Sequence, residues 1–179
     1  MLAAALFFIF AGGAVAVVIQ GYNANRQGQE YTIAAQFASE GIEAVKSIKN
    51  QNYAGLADTP GCSLNRVGNV WAFDSPCATD ILPYSSGNDF IRTIKVEPVN
   101  RDGTPPDGNI VPPPTGTLDP DTKKVTSSVT WSFNSARPES LTLISYLSDW
   151  RKGLGPTSTP TPTPTPTIVP GIQFIDTVS

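Results

Sequence analysis

Cys62 and Cys77 are the residues best placed to do chemistry, 15 positions apart in a stretch rich in Gly, Pro, Asn and Ser. Two outcomes are open to them: separate thiols, or one disulfide closing an irregular loop. Closing a loop of this length stabilises by about 3 kcal/mol in the chain-entropy model, and it implies an oxidising, extracytoplasmic compartment. Two lone cysteines do not make a zinc site. With no His in the chain, no activated-cysteine pattern and no glycine-rich phosphate loop, the convergent titratable groups that catalysis needs are missing. No enzyme activity, cofactor or metal is expected. Asp102, Asp107, Asp119 and Asp121 raise the question of calcium, but their spacing is not that of an EF-hand loop and its closing Glu is absent. Trp71, Trp131 and Trp150 could serve as stacking platforms for surface glycans, or as core and domain-edge packing. The 12 basic and 15 acidic residues give a net charge of -3 without any basic cluster, so nucleic acid is not an expected partner.

The elements that carry these residues begin with residues 1–19, MLAAALFFIFAGGAVAVVI, a continuous apolar run with no charge. As a helix it would extend about 28 Å, close to the thickness of a bilayer core. It can be a cleaved signal, a permanent anchor, or the buried helix of a polymer. A signal peptide needs a basic n-region and a small-residue cleavage site followed by a structural break. Here the first basic residue is Arg26, beyond the run. From residue 24 to 50 the apolar positions Ala34, Phe37, Ala38, Gly41, Ile42, Val45 and Ile48 recur at spacings of three and four, the stripe of an amphipathic helix. Arg26, Glu30, Glu40, Glu43, Lys46 and Lys49 are assigned to the other face. One helix of roughly 75 Å follows, or two nearly collinear ones. Gly12, Gly13, Gly21 and Gly28, each costing about 1 kcal/mol relative to Ala, predict local unwinding or a bend between residues 11 and 28.

Beyond residue 50 the helical pattern stops at Asn52, Gly55, Pro60 and Gly61. Residues 51–86 are expected to be irregular with one short strand at 70–73. Three strands come next, at 89–99, 124–133 and 140–147. In the second, Val125, Ser127, Val129, Trp131 and Phe133 share a face opposite Thr126, Ser128, Thr130 and Ser132, the alternation of a half-buried strand. Residues 101–121 form a Pro, Gly and Asp-rich connection, either a plain hairpin loop or a surface recognition loop. An antiparallel meander must bury its apolar face on something. The available partner is the stripe on the helix, with Phe37, Ile42, Val45 and Ile48 packing against Trp131 and Phe133. The expected fold is α+β: a long N-terminal helix on a small antiparallel β-sheet, with a Thr-Pro-rich C-terminal tail.

That tail contains GPTSTPTPTPTPT at residues 155–167, an extended polyproline-like spacer. Its Thr159, Thr161, Thr163 and Thr165 are candidate O-glycan acceptors. After it, Ile172, Phe174 and Ile175 make a short strand or tail, which in a polymer could add to an exposed sheet edge of a neighbour. The segmentation is therefore 1–23 apolar helix, 24–52 amphipathic helix, 53–153 β-rich domain, 154–170 linker and 171–179 terminal strand or tail.

An apolar N-terminal segment running without interruption into an amphipathic helix, followed by a β-rich domain, resembles the type IV pilins and pseudopilins. The Glu-Gly-Ile-Glu-Ala run at residues 40–44 is similar to that of minor pilin-like proteins. The resemblance covers residues 1 to about 55. It implies a subunit held in the cytoplasmic membrane, then assembled by pilus machinery into a homopolymeric extracellular filament at the cell surface. Leu2, Leu6, Phe7, Phe8, Ile9, Phe10, Val15, Val17, Val18 and Ile19 would form the filament core. The family's leader-peptidase site, a Gly, an aromatic residue and a Glu at the fifth mature position, is not in this sequence, where Ala5 would occupy that position. The opening MLAAAL resembles the stretch that the family carries just after that Glu, so the mature start, N-methylated in the family, is expected a few residues upstream of Met1. Moving an all-round apolar helix from lipid into a helical bundle exposes nothing to water. Burying it supplies tens of kcal/mol, in order of magnitude, before entropy is subtracted. The competing reading is a membrane-anchored surface adhesin that does not polymerise.

Overall fold

Helix α1 runs unbroken over Leu2–Gln51, about 75 Å at 1.5 Å per residue. In the computed structural model, the described residues are 2–84, 89–134 and 137–152. The linker with Thr159, Thr161, Thr163 and Thr165, the 171–179 segment, and the side chains of Leu2 and Leu6 lie outside them. The expected unwinding near the four glycines is not found. Their penalties are dispersed among Ala, Phe, Val and Ile, and the helix continues through all four. It stops where Asn52 caps the following 3-10 turn, Tyr53–Gly55, by accepting a hydrogen bond from the Ala54 N–H. The chain divides into two units, Met1–Asp149 and Trp150–Ser179.

The first unit is α+β. After α1 come β1 (Thr59–Cys62), β2 (Leu64–Val67), β3 (Val70–Phe73), β4 (Asp80–Pro83), β5 (Asp89–Arg101), β6 (Ile110–Val111), β7 (Thr117–Asn134) and β8 (Arg137–Ser148). The antiparallel meander β5-β7-β8 forms as expected, with longer strands. On its far side β5 also pairs with three short segments, β4, β1 and β6. Within the 51–86 stretch, the described residues 51–84 thus contain more strand than expected. The missed signal is the Gly68-Asn69 pair between Leu64–Val67 and Val70–Phe73. Gly68 takes φ 63° at the first position of a two-residue hairpin turn, a place that favours Gly. Cys62 and Cys77 are joined in a disulfide that encloses this hairpin, so the two-thiol alternative is set aside.

The core lies between α1 and the inner face of the sheet. Ala34 and Ala38 pack with Phe90, Val129 and Trp131, while Ile33, Phe37, Leu82 and Leu141 close around them. One turn further, Ile42, Ala44, Val45 and Ile48 meet Ile94, Val96, Val125 and Leu147, with Trp71 and Phe73 of the hairpin against the same cluster. The expected helix-sheet contacts of Phe37, Ile42, Val45, Ile48 and Trp131 are all present. Phe133 is half-buried at the rim, its ring beneath the Arg26 guanidinium at 4.8 Å.

Gly41 sets how closely the two layers approach. A Cβ there would lie 2.7 Å from Ser127 Oγ and 2.8 Å from Ile94 Cδ1, distances that van der Waals contact forbids. Gly28 has open space around it. The same substitution should therefore act in opposite directions. By thermal unfolding of the detergent-solubilised chain, Gly28→Ala is expected to stabilise by up to about 1 kcal/mol. Gly41→Ala should destabilise by about 1–3 kcal/mol; equal effects at the two sites would refute the close-approach argument. In the same assay, replacing both Cys62 and Cys77 by Ser should cost about 3 kcal/mol.

Candidate membrane and assembly interface

The first half of α1 is apolar on every side, and among the described residues it has nothing to pack on. Exposure runs from 55% at Ile19 to 81% at Phe10, with Phe7, Phe8, Ile9, Val15, Val17 and Val18 between these limits. Phe7 and Phe8 touch only edge to face. A segment with a mean hydropathy of 1.5 over its most apolar window, none of it buried, is stable in hydrocarbon or in a helical bundle and costly in water. Such a helix satisfies its own backbone, the condition for entering lipid.

The boundary between this exposed half and the packed half is held by charge. Glu30 is only 3% exposed. One carboxylate oxygen accepts from Arg26 Nε at 2.9 Å and the other from Trp131 Nε1 at 3.2 Å. Arg26 also donates to the Phe133 carbonyl at 3.3 Å, and the Tyr31 ring stands edge-on to Trp131 at 5.0 Å. The assignment of Glu30 to the solvent face is therefore corrected. Glu30, Ala34 and Ala38 follow each other at i+4, so Glu30 continues the buried stripe by one turn, and that spacing was the available signal. Glu40, Glu43 and Lys46 do face solvent, with Lys46 Nζ donating to Glu43 Oε1 at 2.7 Å, an exposed pair worth less than about 1 kcal/mol.

A second buried charge sits beneath the middle of the helix. Arg92, 2% exposed on the inner face of β5, donates to Asp80 Oδ2 and to the Phe37 carbonyl. It also lies 3.4 Å from Glu40. It joins β4, β5 and α1 at one point. The strand pattern gave no sign of it, because Arg at position 92 interrupts the alternation of Phe90, Ile94 and Val96.

At the opposite end, residues 101–121 are pinned from within. Arg101 donates to Asp119 Oδ2 at 2.6 Å and to the Gly108 carbonyl at 2.8 Å, and Asp102 accepts from both nitrogens of Asn109. Burial opposes ionisation of Asp119, but the bonds from Arg101, Thr122 and the Asp121 N–H outweigh it and hold its pKa below the ordinary value. These aspartates are thus engaged in fixing the loop. Between the loop and the outer sheet face is a hollow of about 260 Å³ lined by Pro98, Ile110, Pro112, Pro113, Lys124 and Tyr146. Burial, followed by the charges of Asp121, Asp119, Asp149 and Asp58, pushes Tyr53 up to about 12. Of the other tryptophans, Trp71 lies against the core with Arg66 over its ring, and Trp150 is exposed with Arg151 over it.

No protein-family model, curated protein or solved structure matches the chain.

Two measurements probe these charged contacts. Glu30→Ala removes both acceptors from Arg26 and Trp131 and is expected to cost about 2–3 kcal/mol. Amide exchange should quicken over residues 26–34 and not at residues 42–48. The pH profile of stability has two limbs. Asp119 binds its proton less readily folded than unfolded, so its contribution is full above pH of about 4 and lost on acidification below it. Tyr53 holds its proton more tightly folded, so its contribution is full below pH of about 10 and lost as pH rises through about 12. Melting temperatures should fall at both ends, and Tyr53→Phe should weaken the alkaline decline alone.

Proposed function

We propose that the chain is a structural subunit of an extracellular filament of the type IV pilus kind, held in the cytoplasmic membrane before assembly and working by polymerisation rather than catalysis. The observation that carries this reading is one unbroken helix with two environments: Phe7 to Ile19 exposed and apolar all round, residues 30–48 locked to a sheet. A detachable signal would not need to be continuous with the packed half. In a filament, the apolar halves of many copies would take the place of lipid and the β-domains would form the outer surface. The disulfide fits an oxidising exterior. The hollow beside residues 101–121 and the exposed Trp150 are where surface glycans would be met.

The decisive experiment is the intact mass and N-terminal sequence of the chain in material sheared from cells, with electron microscopy of the same sample. Filaments whose main protein retains residues 7–19 and begins with an N-methylated residue support the proposal. A mature chain beginning near Gly21 sinks it, and an intact chain found only in membranes favours the non-polymerising adhesin. Val17→Glu should leave the β-domain folded and reduce filament yield at least tenfold, because a carboxylate would have to enter the apolar bundle.

A further inference from the structure

The two edges of the main sheet are built differently. On the β5 side the edge is divided among β1, with Pro60 and a register shift, β4, with Asp80 and Pro83, and the two-residue β6. Short strands, prolines, charges and bulges are the means by which proteins keep sheet edges from pairing. On the other side lies β8, which among the described residues pairs only with β7. It opens with Arg137, Pro138 and Glu139, but the residues after them, 140–148, SLTLISYLS, contain no charge, no Pro and no Gly. Their pairing with β7 is regular, the one shift lying beyond them at Ser132/Asn134. Leu143 on the inner face, and Ile144 and Tyr146 on the outer face, are 36%, 55% and 48% exposed.

The ends of the strand indicate which partner fits this edge. Arg137 opens β8 with its side chain 55% exposed and its Nε paired with Glu139 of the same strand at 2.7 Å, and Asp149 comes directly after Ser148. Two β8 strands laid antiparallel about Leu143 would put Arg137 of each opposite Asp149 of the other. Leu143 would meet its own copy on the axis, and Ile144 and Tyr146 would stand beside Thr142 and Ser140. Residues directly opposite in an antiparallel pair share a face, and all these pairs join residues of like parity. Opposite charges at both ends and an apolar residue at the centre suit an isologous contact.

We infer that β8 is a homophilic docking edge, through which two copies of this chain join antiparallel into one continuous sheet. The two-fold axis of such a pair is perpendicular to the sheet and reverses every direction lying in it. Helix α1 lies along the inner face, so the apolar halves of the two copies point in opposite directions. The contact therefore cannot form between neighbours in one membrane or along one polar filament. It joins subunits of two oppositely running filaments or of two facing membranes, and it does not depend on polymerisation.

The test uses the full chain in separate populations of lipid vesicles and in detergent. Wild-type vesicles should cluster, and Ile144→Lys should slow clustering at least tenfold. Spin labels on Ser148→Cys, with the native disulfide intact, should couple at about 34 Å, since ten residues at about 3.4 Å separate the two labels along the antiparallel pair. Leu143→Cys should cross-link across the axis on oxidation, and Ser140→Cys should not. Because Ile144 faces away from α1, its Lys variant should melt with the wild type; Thr142→Lys on the same face is a second such variant. Vesicles that stay dispersed overturn the inference. So does clustering that survives both Lys variants, which would place the contact on α1 or on the C-terminal segment, and so do labels closer than about 15 Å, the mark of a parallel arrangement.

Discussion

The contact between α1 and the inner sheet face, from Glu30 to Ile48, is the interaction on which the rest of the molecule depends. Most of a helix's stability in a protein comes from packing an apolar face, and among the described residues the first half of α1 packs on nothing in the domain. It is oriented by the close approach at Gly41, flanked by small side chains at Ala34 and Ala38 that bring the backbone near Phe90 and Val129. Strands β5, β7 and β8 in turn have one apolar face, which α1 covers together with Trp71 and Phe73 of the β2-β3 hairpin. Each element supplies what the other lacks.

Charges fix what apolar contact leaves free. A smooth apolar stripe can slide or rotate on a smooth sheet at modest cost, whereas Arg92 reaches the Phe37 carbonyl in one register of α1. Glu30 likewise meets Trp131 Nε1 and Arg26 together only where the helix lies as it does. Burying such groups gives little net stability, since desolvation offsets most of the attraction. Their effect is to make one alignment better than its neighbours, so the exposed half leaves the domain at a defined point.

The parts of this arrangement legible in the sequence were those with a period. The stripe from Ala34 to Ile48 and the alternation from Val125 to Phe133 announced the helix, the central strand and their mutual burial. The features that stayed hidden are carried by single residues. Glu30 and Arg92 have charged types that pattern reading sends to the surface, even though Glu30 stands one turn before Ala34 on the buried stripe, and their long-range partners account for their burial. The strands at 59–62 and 80–83 are short, and their pairing with β5 is set by chain reversals and a disulfide rather than by composition. The apolar segment was plain from residue types alone, because exposure on all sides requires no partner to be known.

The seam also has a mechanical meaning. A pull along the axis of α1 loads it in shear, so the contacts spread over about 27 Å of helix resist together instead of parting one by one as they would in peeling. Gly41 seats the helix between Ile94 and Ser127 like a detent, and the bonds of Arg92 to Phe37 and of Trp131 to Glu30 both lie on its N-terminal side, toward the apolar end. A domain attached in this way can transmit tension from its apolar end to its outer surface before it unfolds.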